Sequence, residues 1–127
     1  MNEITKEWVF KAEEDFDSAN LLMYAGESPI PDYVCFHCQQ CAEKYLKAYL
    51  QEHEVEFERR HDLSPLLELC VALDKEFETL YDDIRELDRY AILVRYPGII
   101  IKADTAEEAL RMAERVRAFV RGKLGIR

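Results

Sequence analysis

The chain has 127 residues, 49% hydrophobic and 34% charged, enough apolar material for one core without disulfides or a structural metal. Four Gly and four Pro are too few for a loop-rich sandwich or a disordered chain. A net charge of −9 excludes a general nucleic-acid coat, which needs a basic surface to displace counterions.

Nothing near Met1–Trp8 resembles an apolar signal stretch, and the longest aliphatic runs, Ala91–Val94 and Ile99–Ile101, fall far short of a membrane span. The expected setting is cytoplasmic, with no membrane contact and four Cys as reduced thiols or metal ligands. Residues 105–127 carry 6 basic and 3 acidic residues, against 11 and 23 in the rest. That basic stretch reads either as a solvated helix face whose last-turn cations suit the dipole, or as a docking surface for an acidic partner such as a second copy.

The elements predict an all-α, up-down antiparallel bundle of about five helices in one domain, residues 1–127. Helical spacing of Ile4, Trp8, Ala12, Ala19 and Leu22 predicts a first helix from about Ile4 to Ala25, stopped by Gly26 and two prolines. Asp32 is placed to cap a second helix over about Tyr33–Gln51. After a charged loop, Ser64-Pro65 reads as cap and first helical residue of a short third helix with Leu66, Leu69, Cys70 and Leu73 inward. A fourth helix is defined by Phe77, Leu80, Tyr81, Ile84, Leu87, Ala91 and Val94, and ends before Tyr96 because Pro97 disfavours helical geometry there. Thr105 with Glu108 fits a capping box for a fifth helix, which Gly122 stops.

The second helix carries the most chemistry. On a helical wheel Cys35, Cys38, Cys41, Ala42, Tyr45, Leu46, Tyr49 and Leu50 share a broad apolar side. The three cysteines therefore read as small core hydrophobes, although Cys70 opposite them keeps a zinc reading open. Gln40, Glu43, Lys44, Lys47 and Gln51 fall on the other side. Gln40, Lys44 and Lys47 would cluster along one stripe, able to hold a phosphate and a base edge, or simply form a solvated face. Arg95-Tyr96-Pro97 reads as a helix end with Arg95 paired to an acid such as Asp15, or as a phosphate fork beside a stacking face. His61 is either a capping or core histidine or a site residue.

The run Gln39-Gln40-Cys41-Ala42-Glu43-Lys44-Tyr45-Leu46-Lys47-Ala48-Tyr49-Leu50 resembles the second-helix signature of the HEPN (higher eukaryotes and prokaryotes nucleotide-binding) family. Trp8, Ala12, Asp15 and Ala19 match its first helix, His61-Asp62-Leu63 the opening of its third, and Arg95-Tyr96-Pro97 the close of its fourth. The resemblance spans about Ile4 to Val120. It implies a helical bundle, usually a homodimer, often working with a small nucleotidyltransferase in a toxin–antitoxin arrangement. In some such systems a tyrosine near the catalytic motif is modified with AMP by the partner, which singles out Tyr96.

The family's active branch is a metal-independent RNase using Arg, four to six residues, then His. Here the histidines are His37, His53 and His61; none follows an arginine at that spacing, and none follows Arg95. The resulting expectation is a nucleotide-binding or regulatory partner of a minimal nucleotidyltransferase, without cofactor or metal, with Arg95, Tyr96, Lys44, Lys47, Gln40 and His61 as binding candidates. An RNase with a degenerate site and a purely structural dimerisation module remain the alternatives.

Overall fold

The computed structural model describes residues 1–127 and is helical throughout, without strands. Helix α1 covers Glu3–Tyr24, α2 Pro31–Glu52, α3 Leu63–Leu73, α4 Tyr81–Asp88, α5 Tyr90–Leu93 and α6 Ala103–Leu124; a 3-10 turn, Lys75–Leu80, precedes α4. No helix is long and apolar enough to cross a membrane.

Helices α1 and α2 form an antiparallel pair. Asn2 at the start of α1 donates from its amide to Gln51 O and from its backbone to Glu52, at the end of α2. Its side-chain oxygen also accepts from Thr5 N at 2.8 Å, closing the N-terminus of α1. Helix α6 returns along both, held to α1 by Arg117 and Glu13, and α3 lies along α2 with Cys70 Sγ against Leu46 O.

This arrangement surrounds α2. From Cys41 to Leu50 every residue except Lys44 is buried, so the helix has no broad solvated side in its second half. That corrects the wheel, which placed Glu43 and Lys47 toward water. The apolar side is as expected: Cys35, Cys38, Cys41 and Cys70 are fully buried. Burial pushes the Cys35 and Cys70 thiols up to about 12, and raises those of Cys38 and Cys41 well above their ordinary range. No group of three His, Cys, Asp or Glu side chains comes close enough together to hold a metal ion.

Several helix ends differ from expectation. Pro31 opens α2 one residue before Asp32, which lies in the first turn rather than at the cap. Helix α3 opens at Leu63 behind Asp62, and its N-terminus is closed from α4: Asp88 accepts from Leu63 N at 2.8 Å and from the Ser64 hydroxyl at 3.2 Å. The predicted fourth helix is divided into the 3-10 turn, α4 and α5, and ends at Leu93. Helix α6 begins at Ala103, ahead of the expected capping box, and runs through Gly122 to Leu124. Gly125 ends it with φ 74°, while Ile126 N donates to Arg121 O. The same closure ends α2, where Val55 N donates to Leu50 O and Glu54 N to Gln51 O, but there the left-handed position is filled by Glu54, φ 56°.

The basic stretch of α6 is consumed within the chain. Arg115 makes a two-pronged contact with Asp83 (2.8 and 2.9 Å), Arg117 another with Glu13 (2.7 and 2.6 Å), and Lys123 reaches Asp74 at 2.7 Å. These pairs tie α6 to α1, α4 and the 3-10 turn, and so use the cations that a solvated face or an acidic partner would need.

Candidate functional site

Two polar networks are built on α2, one tying it to the α2–α3 connection and one crossing to α1, and a third group of candidates lies apart from both. In the first network, Lys47 Nζ donates to Glu43 Oε2 at 3.0 Å, one helical turn away, with Lys47 only 6% and Glu43 only 2% exposed. The ammonium sits 5.3 Å from the Trp8 ring centre and 5.6 Å from that of Phe57, whose rings pack edge to face. Glu43 Oε1 lies 3.1 Å from His61 Nδ1. Gln39, fully buried, donates to the backbone carbonyl of His61 at 2.8 Å and accepts from Gln40 at 2.7 Å. Gln40, Lys47 and His61 are thereby brought together, through Gln39 and Glu43, which the sequence reading had not singled out.

In the second network Asp15 on α1 accepts from Lys44 at 2.5 Å and contacts His37 Nδ1 at 2.7 Å. Lys44 is therefore turned to a different carboxylate from Lys47, and the two ammonium groups do not form an open stripe. Asp15 is the acid that Arg95 was expected to meet; its two oxygens are both used by α2 instead. Nearby, Glu13 joins Tyr45 (2.5 Å) to Arg117, and the guanidinium holds the Glu13 carboxyl below its ordinary range.

His61 has the form of an oriented imidazole: one ring nitrogen faces a buried carboxylate while the side chain is 67% exposed. Its neighbours in the chain do not suit a phosphate, however. Arg60 is bonded to Asp62 at 2.9 Å and pairs with Glu58 at 3.5 Å, leaving the surroundings negative.

Arg95 and Tyr96 follow α5 and are exposed; Arg95 takes part in none of the chain's ion pairs. No hydrogen bond or ion pair joins them to the two networks. They lie on the segment between Leu93 and Ile99, both of which line a cavity of about 560 Å³ that Arg95 and Tyr96 themselves do not line and that is also bounded by Tyr90, Ile100 and Ile101, by the cations Arg89 and Lys102, and by the carboxylates Glu86 and Asp104. Ile92, Tyr96 and Ile100, which flank Arg95 along the chain, stand 60%, 59% and 87% exposed.

The signals for the missed residues were partly visible. Asp15 and Glu43 stood in the sequence motifs, but which lysine each meets depends on the rotation of α1 against α2. Gln39 also stood in the second-helix motif, but nothing local pointed to its partner, a backbone carbonyl more than twenty residues away.

A domain model described as HEPN domain matches residues 5–123. The chain is 28% identical to Putative toxin MJ1304 of Methanocaldococcus jannaschii over 96% of its own length and 91% of that protein's. It is also similar to two crystal structures. ST0689, described as an archaeal HEPN homologue, superposes with a TM-score of 0.73 at 27% identity, covering 97% of this chain and 98% of that one. TT1696 from Thermus thermophilus gives 0.76 at 28% identity, covering 97% and 99%. With the matched region extending over nearly the whole bundle, the chain belongs to the HEPN family.

Proposed function

We propose that this HEPN domain is the nucleotide-binding or regulatory member of a toxin–antitoxin-like system, acting as a homodimer beside a small nucleotidyltransferase. The likeness to a relative named as a toxin supports the general role. The observation that carries the site is the state of Arg95: an exposed guanidinium without an ion-pair partner, next to exposed Tyr96, on the segment that spans the walls of the 560 Å³ cavity. Arg95 would grip a phosphate with its fork and Tyr96 would offer a ring for stacking. Lys102 adds a cation on the cavity wall, where Glu86 is held by Arg89 and Asp104 is the remaining carboxylate. The exposed Ile92, Ile99 and Ile100 around them are the surface that a second copy would cover.

In this reading Lys44 acts as a polar support of the α1–α2 interface, and Lys47, Gln40 and His61 as supports between α2 and the α2–α3 connection, rather than as ligands. Each lysine already meets a buried carboxylate, and freeing either would leave that acid with only a histidine contact, His37 for Asp15 and His61 for Glu43. Mass measurement in solution tests the dimer, with Ile100→Lys expected to yield monomer. Titration of ATP, GTP and their diphosphates by calorimetry tests the site. Arg95→Ala should weaken the nucleotide that binds by about 1.5–3 kcal/mol, the range of a hydrogen bond to a charged group. Unchanged affinity in the folded variant would remove Arg95 from the site.

A further inference from the structure

A second surface, on the side of the molecule formed by the α2–α3 connection, has the opposite charge character. A groove of about 530 Å³ runs between this connection and α3, within the size range of ligand-binding pockets. Its floor is apolar, made by Phe57, Pro65, Leu66 and Leu69. Its walls carry Glu56, Glu58, Asp62 and Glu68 against a single cation, Arg60, which is already engaged with Glu58 and Asp62. Glu56 and Glu68 belong to no ion pair. Glu13, Asp74 and Asp83 differ in this respect, each being matched by an arginine or lysine of α6. The groove thus sets four carboxylates and one engaged arginine beside an apolar lining.

The groove is also held in shape. The left-handed turn at Glu54 sends the chain back from α2, and Phe57 is fixed by its edge contact with Trp8 and the Lys47 ammonium. We propose that this groove docks a basic peptide segment of a protein partner, with an apolar side chain on the Phe57–Leu69 floor and lysines or arginines reaching Glu56 and Glu68. Charge complementarity selects that occupant. Nucleotides and RNA are repelled by four carboxylates, and this chain's own basic helix has its cations occupied. The proposal is independent of the nucleotide site at Arg95.

The test uses isotope-labelled full-length protein in 0.15 M salt and a capped nonapeptide with two central leucines flanked by four lysines. Saturable backbone shifts should concentrate at residues 56–69. The Glu56→Gln/Glu68→Gln variant should weaken binding five- to tenfold, whereas Asp82→Asn/Asp104→Asn, on another acidic face, should leave it within twofold. Replacing both leucines of the peptide by alanine should also cost at least fivefold. Shifts spread over residues 82–108, equal affinity of the leucine-free peptide, no effect of the groove variant, or no saturation by 1 mM would each overturn the proposal.

Discussion

Replacing Lys47 by Ala separates two accounts of the second helix. If Lys47 stood on a solvated stripe, its loss would change stability by no more than about 0.5 kcal/mol. Its ammonium instead meets Glu43 at 3.0 Å with both side chains almost wholly buried. Removing one partner of a buried pair costs about 3–5 kcal/mol, because the other charge stays in place without compensation. His61 moderates this, as its Nδ1 lies 3.1 and 3.4 Å from the two Glu43 oxygens and can retain one contact. The lost contacts to Trp8 and Phe57 act in the other direction, at about 1 kcal/mol. The expected loss is about 3–4 kcal/mol, a fall of roughly 2–2.7 M in the urea midpoint for an m-value near 1.5 kcal/mol/M. Equilibrium urea unfolding followed by far-UV circular dichroism measures it. Glu43→Leu/Lys47→Met, which removes both charges and keeps the volume, should recover at least half of the loss. A midpoint within 0.3 M of wild type for Lys47→Ala would refute the buried-pair assignment.

Three further predictions concern stability and reactivity. Glu54→Gly relieves a left-handed residue where glycine pays no steric penalty, and should raise stability by about 0.5–1 kcal/mol, or a few degrees in Tm; a lower Tm would mean the Glu54 side chain contributes a contact of its own. The Glu13 carboxyl is depressed below 4.5, chiefly by Arg117, so the folded chain binds fewer protons there than the unfolded one. Its stabilisation is full above about pH 4.5 and fades as pH falls through the depressed value, so Glu13→Gln should lose about 1 kcal/mol at pH 7 and show a shallower acid dependence. Parallel curves for variant and wild type would contradict this. All four cysteines should resist a chromogenic disulfide reagent at pH 8 in the native protein and react together in urea, because burial keeps each thiol protonated; rapid native labelling of any one would show that the core opens locally.

The fold was more legible than the site, for reasons that lie in particular residues. Helices α1, α2 and α6 each extend over 22 residues, long enough for the 3.6-residue period to stand out. The fourth helix was less accessible: Phe77, Leu80, Tyr81, Ile84 and Leu87 keep an inward spacing that both a 3-10 turn and an α-helix satisfy. Helix ends were missed where the cap comes from elsewhere in the chain, as Asp88 does for α3. Lys47 was misplaced for a related reason. A helical wheel identifies the most apolar side of α2, but only the packing of α1, α3 and α6 around it shows that the opposite side is enclosed. The acidic groove lay in a segment read simply as a charged loop. Its apolar floor combines Phe57 of that loop with Leu66 and Leu69 of α3, and no local pattern joins them.

The most direct test of the proposed function is a thermal-shift panel of mono-, di- and triphosphate nucleotides on wild type and Arg95→Ala in parallel. A ligand at a hundred times its dissociation constant stabilises by about 2.7 kcal/mol, enough to raise the midpoint by several degrees. The account predicts such a rise for at least one nucleotide in wild type and its loss in Arg95→Ala, with the ligand-free midpoints equal because Arg95 makes no ion pair. A rise retained in full by the variant, or none with any nucleotide, would contradict it.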